Sequence, residues 1–153
     1  MSRMWWTILP NYAENAGKTI MRIMLDTNVL ASAILFPSKN MNKLMESVTQ
    51  DHDLYLASYV IDELNEVVKR KFPSKQRAID KFLLRIRHTY ARTPDFPEEG
   101  LFEIRDKKDY PVLYTAIIED VDVLITGDKD FSEVEVEKPE IMTPAEYLNR
   151  YVK

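Results

Sequence analysis

The chain has no cysteine and only two histidines, His52 and His88, among its 153 residues. The missing cysteines exclude a disulfide framework, a zinc-thiolate centre and a thiol nucleophile. Two scattered histidines argue further against zinc. No apolar run approaches the roughly 20 residues of a membrane-spanning helix. The opening, MSRMWWTILPNYAENAGKTI, also lacks the continuous hydrophobic segment of a secretory signal. No serine-hydrolase elbow, internal repeat or low-complexity tract is found. A cytoplasmic protein without membrane contact is expected.

What is present suits one soluble domain: 45% of residues are apolar and 30% charged, at a length that can bury a core unaided by staples. Residues 1–19 show no clear period and read as an extension, with Met21 an alternative start, or as an arm that covers an apolar patch with Trp5, Trp6, Ile8 and Leu9. Residues 20–153 carry the regular patterning. Net charge is −4, unevenly spread. From Lys69 to Arg92, nine Lys and Arg stand against one acid, Asp80, a local +8 that leaves −12 on the remainder.

Strands are predicted at residues 20–25, at DLYLAS, at VDVLIT and at EIM, and helices between them. Ser38 caps a helix over Lys39–Gln50, Ser58 caps one that Phe72 and Pro73 end, and Ser74 opens another. In that last helix Ile79, Phe82, Leu83, Ile86 and Tyr90 form an apolar stripe opposite Arg77, Lys81, Arg85, His88 and Arg92. RTPDFPEEG is a loop with room for a short strand. Asp109 caps the helix of YPVLYTAIIED, and TPAE is a capping-box start at Thr143 and Glu146. The alternation implies an α/β domain with a parallel sheet of about four or five strands flanked by helices, of Rossmann-like character.

Ligands of such sheets sit beyond the carboxyl ends of the strands, where this reading gathers acids. Asp26 ends the first strand, Glu63 lies in the helix after the second, Asp109 opens a helix with Asp106 just before it, and Asp128 and Asp130 follow VLIT. Carboxylates crowded together repel one another unless cations neutralise them. Oxygen-rich sites match Mg2+ or Mn2+, and a pair of such ions can hydrolyse a phosphodiester.

The segments MLDTNVLASAI, ASYVIDEL, RDKKDYPVLYTAI and LITGDKDF resemble, in order and spacing, the PIN-domain nucleases, especially the single-domain VapC-like toxins of toxin-antitoxin pairs. The likeness spans about residues 20–147. It implies a PIN-like fold and a metal-dependent ribonuclease whose four acids are Asp26, Glu63, Asp109 and Asp128. It further implies support from Asn28 and Thr126, an antitoxin that fills the site, and a homodimer. Tyr110, Pro111 and Tyr114 depart from the smaller or aliphatic residues of related helices, and Asp130 competes with Asp128 for the fourth role.

Plainer readings exist for each residue. Asp26 suits an Asx turn, Glu63 a wet helix face beside Asp62 and Glu66, and Asp109 a helix cap. Asp106 suits a loop or a supporting role, and Asp128 and Asp130 a solvated turn. The basic stripe is either a solvated face or an RNA contact in which His88 takes part. EVEVEKPE is an acidic edge without a role, and Tyr55, Tyr59 and Tyr110 are candidates to stack on a base. Rival functions are a non-catalytic RNA- or partner-binding protein on the same fold and a haloacid-dehalogenase type of phosphatase, whose usual second Asp is Asn28 here.

Overall fold

The computed structural model describes residues 19–152. Of the amino-terminal extension or arm read from the sequence, all but Thr19 lies outside the described residues. Five strands, β1 (Arg22–Leu25), β2 (Asp53–Ala57), β3 (Thr89–Ala91), β4 (Val123–Ile125) and β5 (Glu140–Met142), form one sheet in the order β3-β2-β1-β4-β5. Every pairing is parallel. Ile23, Met24 and Leu25 are buried in succession, as are all three residues of β4. Side chains alternate between faces of a strand, so unbroken burial means that both faces of the sheet are covered.

Six helices supply that cover: α1 (Thr27–Leu35), α2 (Lys39–Gln50), α3 (Ser58–Lys71), α4 (Gln76–Arg85), α5 (Tyr110–Ile118) and α6 (Pro144–Tyr151). α3 packs against α1, α4 and α5, while α2 packs against α6. Two starts follow the local chemistry predicted for them. The Ser38 hydroxyl accepts the Met41 amide at 3.1 Å, and Thr143 and Glu146 complete a reciprocal capping box.

Elsewhere the structure departs from expectation. Ser58 is the first residue of α3, not its cap, and its hydroxyl accepts the Thr93 amide at 2.8 Å. Ser74 sits in a 3-10 turn, so α4 starts two residues later, at Gln76. α4 stops at Arg85, where Ile86 turns extended; Tyr90 therefore belongs to β3 and is 60% exposed rather than part of an apolar stripe. RTPDFPEEG contains no strand. Asp109 precedes α5, but its carboxylate makes no capping hydrogen bond. Helix α1 was not anticipated at all. Its segment, TNVLASAIL, is apolar nearly throughout and shows no helical period.

The strand order places a topological switch point at β1. From β1 the chain runs outward through β2 to β3, then returns to β4 on the other side of β1. The crevice outside the carboxyl ends of β1 and β4 is where open α/β sheets bind ligands. Asp26 leaves β1 there, its amide donating to Ile125 of β4 at 3.0 Å.

Candidate active site

Asp26 is 4% exposed. Its Oδ1 accepts the Thr27 amide at 2.8 Å, capping α1, and its Oδ2 accepts the Thr126 hydroxyl at 2.7 Å. The capping reading of Asp26 is thus correct for one oxygen, while the other faces β4. Burial raises its pKa above the usual carboxylate value; the Thr126 and Thr27 bonds oppose the rise, and the charges of Glu63 and Asp128 add to it.

Carboxylate oxygens of Asp26, Asp109 and Asp128 lie within 4.8 Å of one another. Asp109 is 9% exposed, and its Oδ2 is buried with no hydrogen-bond partner. Its pKa is pushed up to about 8, first by burial, then by the adjoining Asp128 carboxylate and by the charges of Asp26 and Asp106. Asp128 is fixed from both sides: its amide donates to the Thr126 hydroxyl at 3.0 Å, and its Oδ1 accepts the Asp130 amide at 2.9 Å. Asp106, Asp109 and Asp130 make an adjoining group that shares Asp109, with Arg105 at 3.7 Å from Asp130.

A buried acceptor left without a donor costs about 1–3 kcal/mol. Three carboxylates around such an atom form an all-oxygen donor set of the kind hard divalent cations take. The residues fit Mg2+ or Mn2+.

Glu63 stands outside both groups. It lines the same cleft, of about 710 Å³, with its Oε1 accepting the Thr27 hydroxyl. Asn28 lines the cleft beside Asp26, and its side-chain oxygen accepts the Gly127 amide at 3.4 Å, which ties α1 to the loop after β4. Tyr59 lies one turn before Glu63 on α3 and lines the cleft, and its phenol is shifted upward by burial and then by the charge of Glu63. Tyr110 is spent elsewhere, stacked against Phe102 with its hydroxyl donating to Glu98. Tyr55, in β2, lies under the Arg22 guanidinium and outside the cleft.

The predicted basic stripe is not one face. Arg77, Lys81 and Arg85 lie on α4, but His88 and Arg92 lie beyond it. His88 is next to the start of β3, its Nδ1 at 2.9 Å from the Ile86 carbonyl, at the amino ends of the strands and away from the acids. Arg92 pairs with Asp95 at 3.4 Å. None of the five lines the acidic cleft. The cations that do are Arg70, Lys71 and Lys108. The sequence signal for the first two was present in the charge run, but which of its members line the cleft depends on how α3 docks. Thr27, whose hydroxyl holds Glu63, carried no signal of its own.

The model of the PIN domain family matches residues 22–130, most of the chain. The chain belongs to the PIN-domain family. No curated protein gives a significant match. Among solved structures, a chain of the VapBC2 complex from Rickettsia felis, crystallised bound to a DNA fragment from their promoter, is similar with a TM-score of 0.63 and 20% identity. That match covers 80% of this chain and 98% of the other, and at such identity it reports the PIN fold alone. Family membership accords with the nuclease expectation, and the acids that meet at the switch point are three of the four the resemblance named.

Proposed function

We propose that this PIN domain is a Mg2+- or Mn2+-dependent endoribonuclease and the toxin half of a toxin-antitoxin pair. The observation that carries the reading is the convergence of Asp26, Asp109 and Asp128 on the buried, unpartnered Oδ2 of Asp109. Asp26, Asp109 and Asp128 would hold the cation, with Glu63 on the facing wall of the cleft completing the set and Asp106 and Asp130 supporting it through the shared Asp109. A divalent cation bound there supplies activation of water and neutralisation of charge on a phosphodiester.

The chain's own residues do the rest. Thr126 aims Asp26 and Asp128, Thr27 aims Glu63, and Lys108 meets phosphate at the edge of the acids. Arg77, Lys81 and Arg85 form an outer positive face whose field draws in long RNA without touching the scissile group. RNA as the substrate, an antitoxin that covers the cleft, a homodimer and a cytoplasmic location are parts of the same proposal; the PIN family and the likeness to a chain of a VapBC2 complex support the toxin-antitoxin part.

The test is RNA cleavage by the wild type with Mn2+, with EDTA, and with Mn2+ restored, beside Asp26→Asn. Cleavage lost in EDTA, regained with Mn2+ and absent in the variant is expected. Cleavage that persists in EDTA refutes the metal assignment, and metal-independent RNA binding without turnover favours a non-catalytic binding protein.

A further inference from the structure

We propose that single-stranded RNA leaves the acidic centre along the groove between α1 and α3 and is gripped at its far end by Phe36, Arg70 and Lys71. This rests on the ribonuclease reading and names the substrate path of the same site.

The cleft that holds the acids is continuous with that end of the groove. On α3, residues seven apart return to nearly the same face, so Arg70 sits two turns from Glu63, about 10.5 Å along the axis. Val67 lies between them and, with Ala31 and Leu35 of α1, makes an apolar waist, beside which the exposed Glu66 and the half-buried Ser32 also line the cleft. Beyond it Phe36, 60% exposed, meets Phe72 edge to face with centroids 5.6 Å apart. Arg70 and Lys71 are exposed and have no carboxylate in ion-pair range among the described residues.

From the acids the surface passes the apolar waist, with Glu66 beside it, to cations next to an exposed aromatic face. A polyanion with planar bases matches it: one phosphate lies at the neutralised acids, a base crosses the waist, and a second phosphate meets Arg70 and Lys71 while its base stacks on Phe36. Stacking of this kind needs an unpaired base. It gives affinity with little sequence preference.

The test is fluorescence anisotropy of a labelled single-stranded RNA of about twelve nucleotides, with Ca2+ replacing Mn2+ so that binding is read without turnover. Phe36→Ala should weaken binding roughly tenfold and Phe36→Trp should restore it. Arg70→Ala with Lys71→Ala should weaken binding and flatten the salt dependence by about 1.4 in log–log slope, the value for two phosphates on a single strand. Arg150→Ala, which removes one positive charge outside the cleft, from a cation paired with Glu140, should stay within about twofold of wild type.

Wild-type cleavage with Mn2+ is run in parallel. If the wild type cleaves and the groove variants bind and cleave equally well, the path is wrong and the nuclease stands. If RNA binding depends on Phe36, Arg70 and Lys71 but nothing is cleaved, the path stands and the nuclease falls. If the wild type neither binds nor cleaves, both fall. Groove variants that keep RNA binding but lose a co-purifying protein partner assign the groove to that partner and overturn the proposal.

Discussion

The Thr126 hydroxyl donates to Asp26 Oδ2 at 2.7 Å across a hundred residues of sequence, and accepts the Asp128 amide at 3.0 Å. One hydroxyl therefore fixes an acid from β1 and an acid from the loop after β4. Thr126→Val removes it at nearly constant volume and leaves the buried Asp26 oxygen without its donor. Cleavage and Mn2+ affinity should each fall about 10- to 100-fold, the usual loss when a supporting partner of a metal ligand is removed. Thr126→Ser should retain most of both. Initial cleavage rates and a calorimetric Mn2+ titration decide it, and a Thr126→Val protein as active as wild type would show that Asp26 needs no orienting bond.

Asp26→Asn and Asp109→Asn keep size and shape while removing ligand charge. If the two acids hold the cation as proposed, each change should lower cleavage by more than about 100-fold, the upper end for losses one step removed from the metal. The Asp109 change has a second, opposite consequence. A buried carboxylate that lacks a donor opposes folding of the metal-free protein, so Asp109→Asn should melt at a higher temperature than wild type in EDTA. A variant that loses activity by unfolding would melt lower.

The same residue makes metal-free stability depend on pH. The Asp109 carboxyl titrates near the ordinary aspartate value of 3.8 when unfolded and is pushed up to about 8 when folded. Between those values the native state holds a proton that the unfolded chain has released, so stability falls as pH rises through that window, and the loss is complete above the folded pKa. Asp26 is shifted in the same direction and adds to the slope. EDTA-treated wild type should therefore melt higher near pH 5 than near pH 9, and Asp109→Asn should flatten the difference. Added Mn2+ should reverse the trend, because cation binding requires the deprotonated form. Parallel melting curves for wild type and variant isolate Asp109 from the remaining carboxylates.

What could be read before the structure was chemistry that acts over a few residues. Ser38 and the pair Thr143 and Glu146 signal helix starts through side-chain oxygens three positions from the amides they cap. The buried β4 announces itself as a β-branched apolar run. Helix α1 was hidden because its segment is apolar on nearly every side, one part facing the core and Ala31 and Leu35 lining the cleft. The basic stripe was overextended because the apolar spacing continues past Arg85 through Ile86 and Tyr90, whereas the backbone leaves the helix there to pair β3 with β2, from Tyr55 to Thr89 onward. Asp26 and Asp128 were legible as members of a converging acidic cluster through their positions after strands β1 and β4. The unsatisfied Oδ2 of Asp109 and the placement of Arg70 and Lys71 on the cleft lining are products of packing between distant helices, which no local spacing encodes.

Packing remote from the cleft should be separable from activity. Tyr147 of α6 is fully buried, and its hydroxyl is 2.7 Å from that of Ser47 on α2. Burial pushes its pKa up to about 12, so the phenol is neutral at any working pH and the contact is an uncharged hydrogen bond. No residue of α2 or α6 lines the acidic cleft. Tyr147→Phe leaves the Ser47 hydroxyl buried without its partner and should cost about 1–2 kcal/mol, read in urea denaturation as a lower midpoint with an unchanged slope. Ser47→Ala should cost a similar amount, and the double variant less than the two together, since each single change strands the other's polar atom. Cleavage by all three should match wild type at temperatures where they are folded; a fall in rate without a fall in stability would mean that α2 and α6 position the acids after all.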